Sequence, residues 1–322
     1  MRIALTLTPP TDLHFRWAAQ VGVTDFVCRY PRHYGLDPFD GLALMRDRAA
    51  SFGLTLSVVE GYLPIDQIVL GKSGRDEQIA ELTRFVRHMG ELGARILCYN
   101  FMHADWTRTD LRVPARGGAL TNGFDVAKLD ASRTLPADRR ESSSDALWRN
   151  LEYMLERLVP AAEDAGVKLA MHPDDPPMPS LLGAAQIMHN AACYDRLFEL
   201  NPSPANGMCF CQGTFAEMGT PDMPTMIRRF GSRIHYVHFR DVRGTMPKFV
   251  ETFHDEGQTD MHAAMQAYRE IGFTGPARPD HVPTLEGEDG DGDGSGYSML
   301  GRLFAVGYMR GLIHSVYRRT SS

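Results

Sequence analysis

VKLAMHPDDPP, residues 167–177, is a short apolar run that ends on His172 and breaks at once into a proline-rich polar turn. A run of this length, bounded by turn residues, reads as a buried strand rather than a helix. The pattern recurs three times downstream. GMCFCQG (207–213) ends its apolar run on Cys211, IHYVHFRD (234–241) carries His238 near its end, and ARPDH (277–281) places Asp280 there. Four chemistry-bearing side chains therefore stand at the ends of four successive runs, far apart in sequence. A barrel of parallel strands projects all its carboxyl ends onto one face, and it is the architecture that would bring the four together.

Working outward from this quartet, β-rich runs occupy Arg2 to Leu7, Thr24 to Cys28, Thr55 to Val59, Arg95 to Tyr99, Val167 to Met171, Asn206 to Cys211, Arg233 to Phe239 and the surroundings of Gly275 to Arg278. Amphipathic helical patterns lie between most of them, at Ala43 to Phe52, Asp76 to Leu92, Ser144 to Ala165 and Met261 to Ile271. Eight strands alternating with helices match an α/β fold of the (β/α)8 TIM barrel type, read as one domain over residues 1–322. A doubly wound open sheet is the rival. It is disfavoured because no Gly-rich phosphate turn of the dinucleotide or P-loop type follows any strand.

Two segments interrupt the rhythm. Residues 101–143, rich in Gly, Pro, Arg and Asp, are too long for an ordinary βα connection. An insertion after the fourth strand of a barrel is expected to cover the active-site mouth and supply binding residues. The second is EGEDGDGDGSG, residues 286–296. Its Asp289, Asp291, Asp293 and Gly294 imitate the start of a calcium loop, but Leu300 falls where the bidentate glutamate belongs. A solvated acidic loop or lid is the expected reading.

Bulk properties limit the function. A net charge of -6 offers no broad cationic surface for nucleic acid. The N-terminus lacks the pattern of a secretory signal, no apolar stretch has transmembrane length, and a cytoplasmic location is expected. The five cysteines do not read as a disulfide framework. Cys28 and Cys98 lie in strand-like runs and read as small buried residues, whereas Cys209 and Cys211 alternate so as to share a side. His235 and His262 read as core or interface residues. His172, Cys211, His238 and Asp280 differ because each sits at a strand's end. Their mixture of nitrogen, sulfur and oxygen donors suits a divalent transition metal, and octahedral coordination would leave two positions for substrate oxygens.

The strings CYNFMHADWTRT, LAMHPDDPP, GMCFCQGTFAEMG, IHYVHFRDV, KFVETFHDEGQTDM and RPDH, in this order, resemble the mannonate dehydratase family. The resemblance implies a xylose isomerase-like barrel that removes water from D-mannonate to give 2-keto-3-deoxy-D-gluconate in hexuronate catabolism. It implies His172, Cys211, His238 and Asp280 as ligands of Mn2+ or Fe2+, His281 as acid/base and Tyr297 as catalytic tyrosine. Trp106, Arg108 and Asp174 match pocket motifs for substrate, and a homo-oligomer is the implied assembly. One departure is Val282, where the family usually follows RPDH with Gly; it alters the loop beside the acid/base and bears on the exact sugar acid. Two other readings are a metal-dependent sugar isomerase or epimerase of the same superfamily, and a catalytically silent sugar-acid-binding paralogue.

Overall fold

Eight parallel strands close on themselves in chain order. They are β1 (Arg2–Thr6), β2 (Asp25–Cys28), β3 (Thr55–Glu60), β4 (Ile96–Tyr99), β7 (Lys168–Met171), β10 (Asn206–Cys211), β11 (Ile234–Phe239) and β14 (Pro276–Pro279), and β14 returns to pair with β1. Every expected strand is present within two residues of its reading, and the (β/α)8 barrel expected from the sequence is the fold. The computed structural model describes residues 1–102, 107–130, 135, 137, 142–220, 222–288 and 296–317. No described helix is long and apolar enough to cross a membrane.

Local chemistry explains the boundaries. The helix Ser144–Ala165 begins where Ser143 Oγ accepts the Ala146 N–H (3.2 Å) and ends where Gly166 takes a left-handed conformation at φ 63°. One stripe of it, including Leu147, Leu151, Leu155 and Leu158, is buried, each leucine contributing about 1.5–3 kcal/mol. The helix read as Ala43 to Phe52 is longer, Pro38–Ser51. Asp37 accepts the N–H groups of Phe39 and Asp40, and Pro38 is preset for the first turn, so capping rather than the apolar period sets its start.

The described part of residues 101–143 contains two strands. β5 (Asp110–Pro114) and β6 (Leu120–Asp125) pair antiparallel, and β6 continues onto β13 (Lys248–Glu251), itself paired with β12 (Val242–Thr245). Phe124 and Phe249 stack across this sheet with ring centroids 5.7 Å apart. A two-stranded pair, β8 (Ser180–Leu181) and β9 (Ala184–Ala185), follows β7. Among the acidic residues of the calcium-like run, Asp289, Asp291 and Asp293 lie outside the described residues, as does Trp106.

The barrel interior holds its own cluster of Ala4, Val27, Val58, Ile96, Cys98, Ala170, Cys209 and Tyr236. Alternation therefore points Cys209 inward along with Cys211. His235 points away from this interior and packs on Gly207, where any Cβ would meet its ring.

Candidate metal centre

His172 follows the last residue of β7, Cys211 closes β10, His238 is the penultimate residue of β11, and Asp280 follows β14. The barrel brings all four together. Donor atoms of His172, Cys211 and His238 lie within 4.8 Å of one another. His172 Nε2 stands 3.0 Å from His238 Nδ1, and Asp280 Oδ2 is 3.6 Å from that nitrogen and 3.9 Å from Cys211 Sγ. The other nitrogen of His172, Nδ1, is 2.7 Å from the Pro173 carbonyl, which orients the ring and leaves Nε2 for the cluster.

Electrostatics ready the donors. Burial pushes the Cys211 thiol up, but the Arg240 charge and hydrogen bonds from His172 and His238 outweigh it and hold the thiol well below its ordinary range. Burial likewise opposes the charge on Asp280, and Arg278, His281 and His238 together hold its carboxyl well below the usual carboxylate range. The Arg278 ion pair to Asp280 measures 2.8 Å and that from Arg240 2.9 Å. A thiolate, two imidazoles and a carboxylate form a donor set fit for a borderline divalent ion.

Several residues of this site escaped sequence reasoning. Glu60 closes β3 as the quartet closes its own strands; that position was its only signal. It accepts hydrogen bonds from Arg278 (2.6 and 3.1 Å) and Tyr236 (2.9 Å), and it lies 3.3 Å from His238 Nε2. The carboxylate thereby turns the opposite nitrogen of His238 toward the cluster, the usual supporting partner of a metal-binding histidine. Arg108 donates to Asp175 (2.7 and 3.0 Å) and to Glu251 (2.8 Å), while Arg240 joins Asp175 (2.6 Å) to Glu217 (2.8 Å).

Of the residues expected at the pocket, Arg108, His281 and Tyr297 line it, in a cavity of about 260 Å³ that also includes His172, His238 and Asp280. That is near the lower edge of the roughly 300–1,000 Å³ usual for ligand pockets, which suits a small substrate. Asp174 is not brought there. It accepts the Met188 N–H at 2.6 Å, and burial pushes its carboxyl up to about 7. The neighbouring Asp175 faces the cavity instead.

His281 and Asp280 are adjacent yet face the same space, with His281 Nε2 4.0 Å from Asp280 Oδ1, because the chain bends at the strand's end. His281 Nδ1 is 2.5 Å from Glu251 Oε1. Tyr297 meets the His281 ring edge-on at 5.2 Å and donates its hydroxyl to Asp280 at 3.3 Å. Burial and the Asp280 charge push the Tyr297 phenol up, so it stays protonated.

Soft and borderline donors gathered by a barrel's strand ends, with proton-carrying groups beside them, define a class of barrel enzymes that act on small molecules at a bound metal ion. Within that class, the chain belongs to the D-mannonate dehydratase (UxuA) family, whose model matches residues 18–322. It is 34% identical over 310 residues to mannonate dehydratase 2 of Halalkalibacterium halodurans, covering 88% of each chain. The solved structure of mannonate dehydratase from Streptococcus suis serotype 2 superposes with a TM-score of 0.90 at 28% identity, covering 100% of this chain and 96% of that one. A xylose isomerase domain protein from Alicyclobacillus acidocaldarius reaches 0.64 at 16% identity over 99% of this chain and 100% of that one, a likeness of fold alone. Family membership thus selects a hydro-lyase over the isomerase reading.

Proposed function

We propose that this chain dehydrates D-mannonate to 2-keto-3-deoxy-D-gluconate at a Mn2+ or Fe2+ ion held by His172, Cys211, His238 and Asp280. The observation that carries the reading is the convergence of His172, Cys211 and His238 donors within 4.8 Å, in a chain whose family match spans residues 18–322. When bound, the ion supplies Lewis-acid charge that stabilises the negative charge built beside the substrate carboxylate.

The chain's own groups move the protons. Glu251 engages His281 Nδ1, which leaves Nε2 to take the proton from the carbon next to the carboxylate. The Tyr297 phenol donates a proton to the hydroxyl leaving the next carbon. One C–H and one C–O bond break, water departs, and the resulting enol tautomerises to the 2-keto acid. Arg108, from the inserted segment, faces the cavity with its charge balanced by Asp175 and Glu251, and orients the acid. Asp174 acts from behind by holding the Met188 amide.

The whole chain functions in this reading as one barrel domain, with residues 101–143 over the mouth. Support comes from Arg108, Leu111 and Asn122, which line the cavity together with His172 and Asp280. A homo-oligomer completes the reading, checked by light scattering. The deciding experiment is keto-acid release from D-mannonate by protein purified without oxygen and reloaded with single metals. No keto acid with any divalent ion rejects the function; turnover with Zn2+ alone rejects the metal assignment.

A further inference from the structure

Where the chain leaves β3 it passes through two consecutive residues of positive φ, Gly61 at 74° and Tyr62 at 57°. Glycine adopts this region freely, but a bulky side chain there is strained because its Cβ crowds the backbone. Core packing does not account for a tyrosine, since the residue is 45% exposed. The ring nevertheless lines the same cavity as His281 and Tyr297. Strain retained at an exposed wall of a pocket points to use by a ligand.

The surroundings hold the ring in place. His33 stacks on Tyr62 with centroids 4.1 Å apart and planes inclined by 20°. The Arg29 guanidinium lies 5.5 Å from the Tyr62 ring and 5.3 Å from the Tyr297 ring, and its Nη1 is 3.3 Å from Glu60 Oε1. Of the four proposed donors, His172, His238 and Asp280 line the cavity and are each less than one-tenth exposed, whereas Tyr62 lines its exposed part. A sugar acid whose carboxylate end reaches the donors therefore presents its distal carbons to Tyr62.

We infer that Tyr62 is a positioning residue that determines specificity: its side chain, braced by His33 and Arg29, is the outer wall of the cavity against which the distal carbons of a six-carbon sugar acid pack. An aromatic side chain suits such carbons because it offers them rigid apolar contact area. The role rests on the dehydratase reading above. It also explains why a strained residue stands where glycine would be more stable.

The test compares Tyr62→Phe, Tyr62→Ala and Tyr62→Gly with the wild type, measuring KM and kcat on D-mannonate, the preference over a five-carbon aldonate, and thermal stability. Tyr62→Phe should retain the wild-type KM. Tyr62→Ala and Tyr62→Gly should raise KM roughly three- to ten-fold with little change in kcat and should erode the six-carbon preference. Tyr62→Gly should melt above Tyr62→Ala, because only glycine relieves the backbone. An unchanged KM and chain-length preference in Tyr62→Gly, a fall in kcat at constant KM, or a Tyr62→Gly protein that melts below Tyr62→Ala overturns the inference. A wild type that forms no keto acid from D-mannonate instead overturns the reaction and this role with it, an outcome distinct from an active wild type with indifferent variants.

Discussion

Cys209 and Cys211 lie two residues apart on one strand, both wholly buried and both facing the barrel interior, yet their thiols behave oppositely. Burial and a hydrogen bond with Cys98 push Cys209 well above its ordinary value. Cys211, equally removed from water, is held well below it by Arg240 and the two imidazoles. The same step separates Tyr236 from His238 and Val58 from Glu60. One layer of the interior is thus apolar and the next is ionic. Burial alone sets only a cost for charge, and the partners delivered by other strands decide whether that cost is outweighed.

The largest expected effect tests this contrast directly. Cys211→Ala should lose bound metal and keto-acid formation together, on the order of a hundredfold or more, whereas Cys209→Ala should retain both. Metal content measured beside turnover decides it, and equal metal loss in the two variants would break the comparison.

Next in size is the separation of proton transfer from ligation. His281→Asn should keep the metal and lower turnover by roughly a hundred- to ten-thousand-fold, with a smaller loss for Tyr297→Phe. Loss of the metal from His281→Asn would make that residue a ligand and redraw the ionic layer.

A third effect sharpens the role of supporting groups. Glu60→Gln removes the charge that faces Arg278 and Arg29 and loosens the hold on His238. Metal affinity should weaken roughly 10- to 100-fold, and the fold should lose about 3–5 kcal/mol because the arginines are left buried without their counter-charge. Calorimetric unfolding and metal titration read the two consequences separately. Unchanged metal affinity would show that His238 needs no such orientation.

The smallest concerns pH. Burial raises Asp174 to about 7 from an ordinary value of 3.8, so across that interval the folded chain holds a proton that the unfolded chain has released. Its contribution is greatest below about 3.8 and declines as pH rises to about 7. Glu251 runs the other way: against burial, His281 and Arg108 lower it from 4.5 to about 2, and its contribution is present above about 4.5 and lost as pH falls through about 2. Asp174→Asn should flatten the decline in melting temperature toward neutral pH, and Glu251→Gln the acid limb. A melting difference between Asp174→Asn and wild type that does not vary with pH would refute the first assignment.

The sequence by itself determined the barrel and pointed to the four side chains, His172, Cys211, His238 and Asp280, that converge at its strand ends. Strand runs such as residues 167–171 and 206–211 are short, apolar and bounded by turns, and a parallel barrel has a polarity that turns the last residue of each run into a site position. Asp280 was legible for the same reason, whereas His281 was reached only through the resemblance of RPDH to the family. Other features required coordinates. Whether Asp174 or Asp175 faces the cavity is a matter of one residue's rotation in a turn, which no periodicity encodes. The pairing of β6 with β13 joins segments more than a hundred residues apart, and Glu60, Arg240 and Arg278 become a charge network only once separate strands stand side by side. Tyr62 took its place through a backbone conformation that its own residue type disfavours, so only the tertiary structure could show it. Local pattern records which residues are buried and on which side; the energy of a buried charge depends on what lies across the gap, and that is set by the fold as a whole.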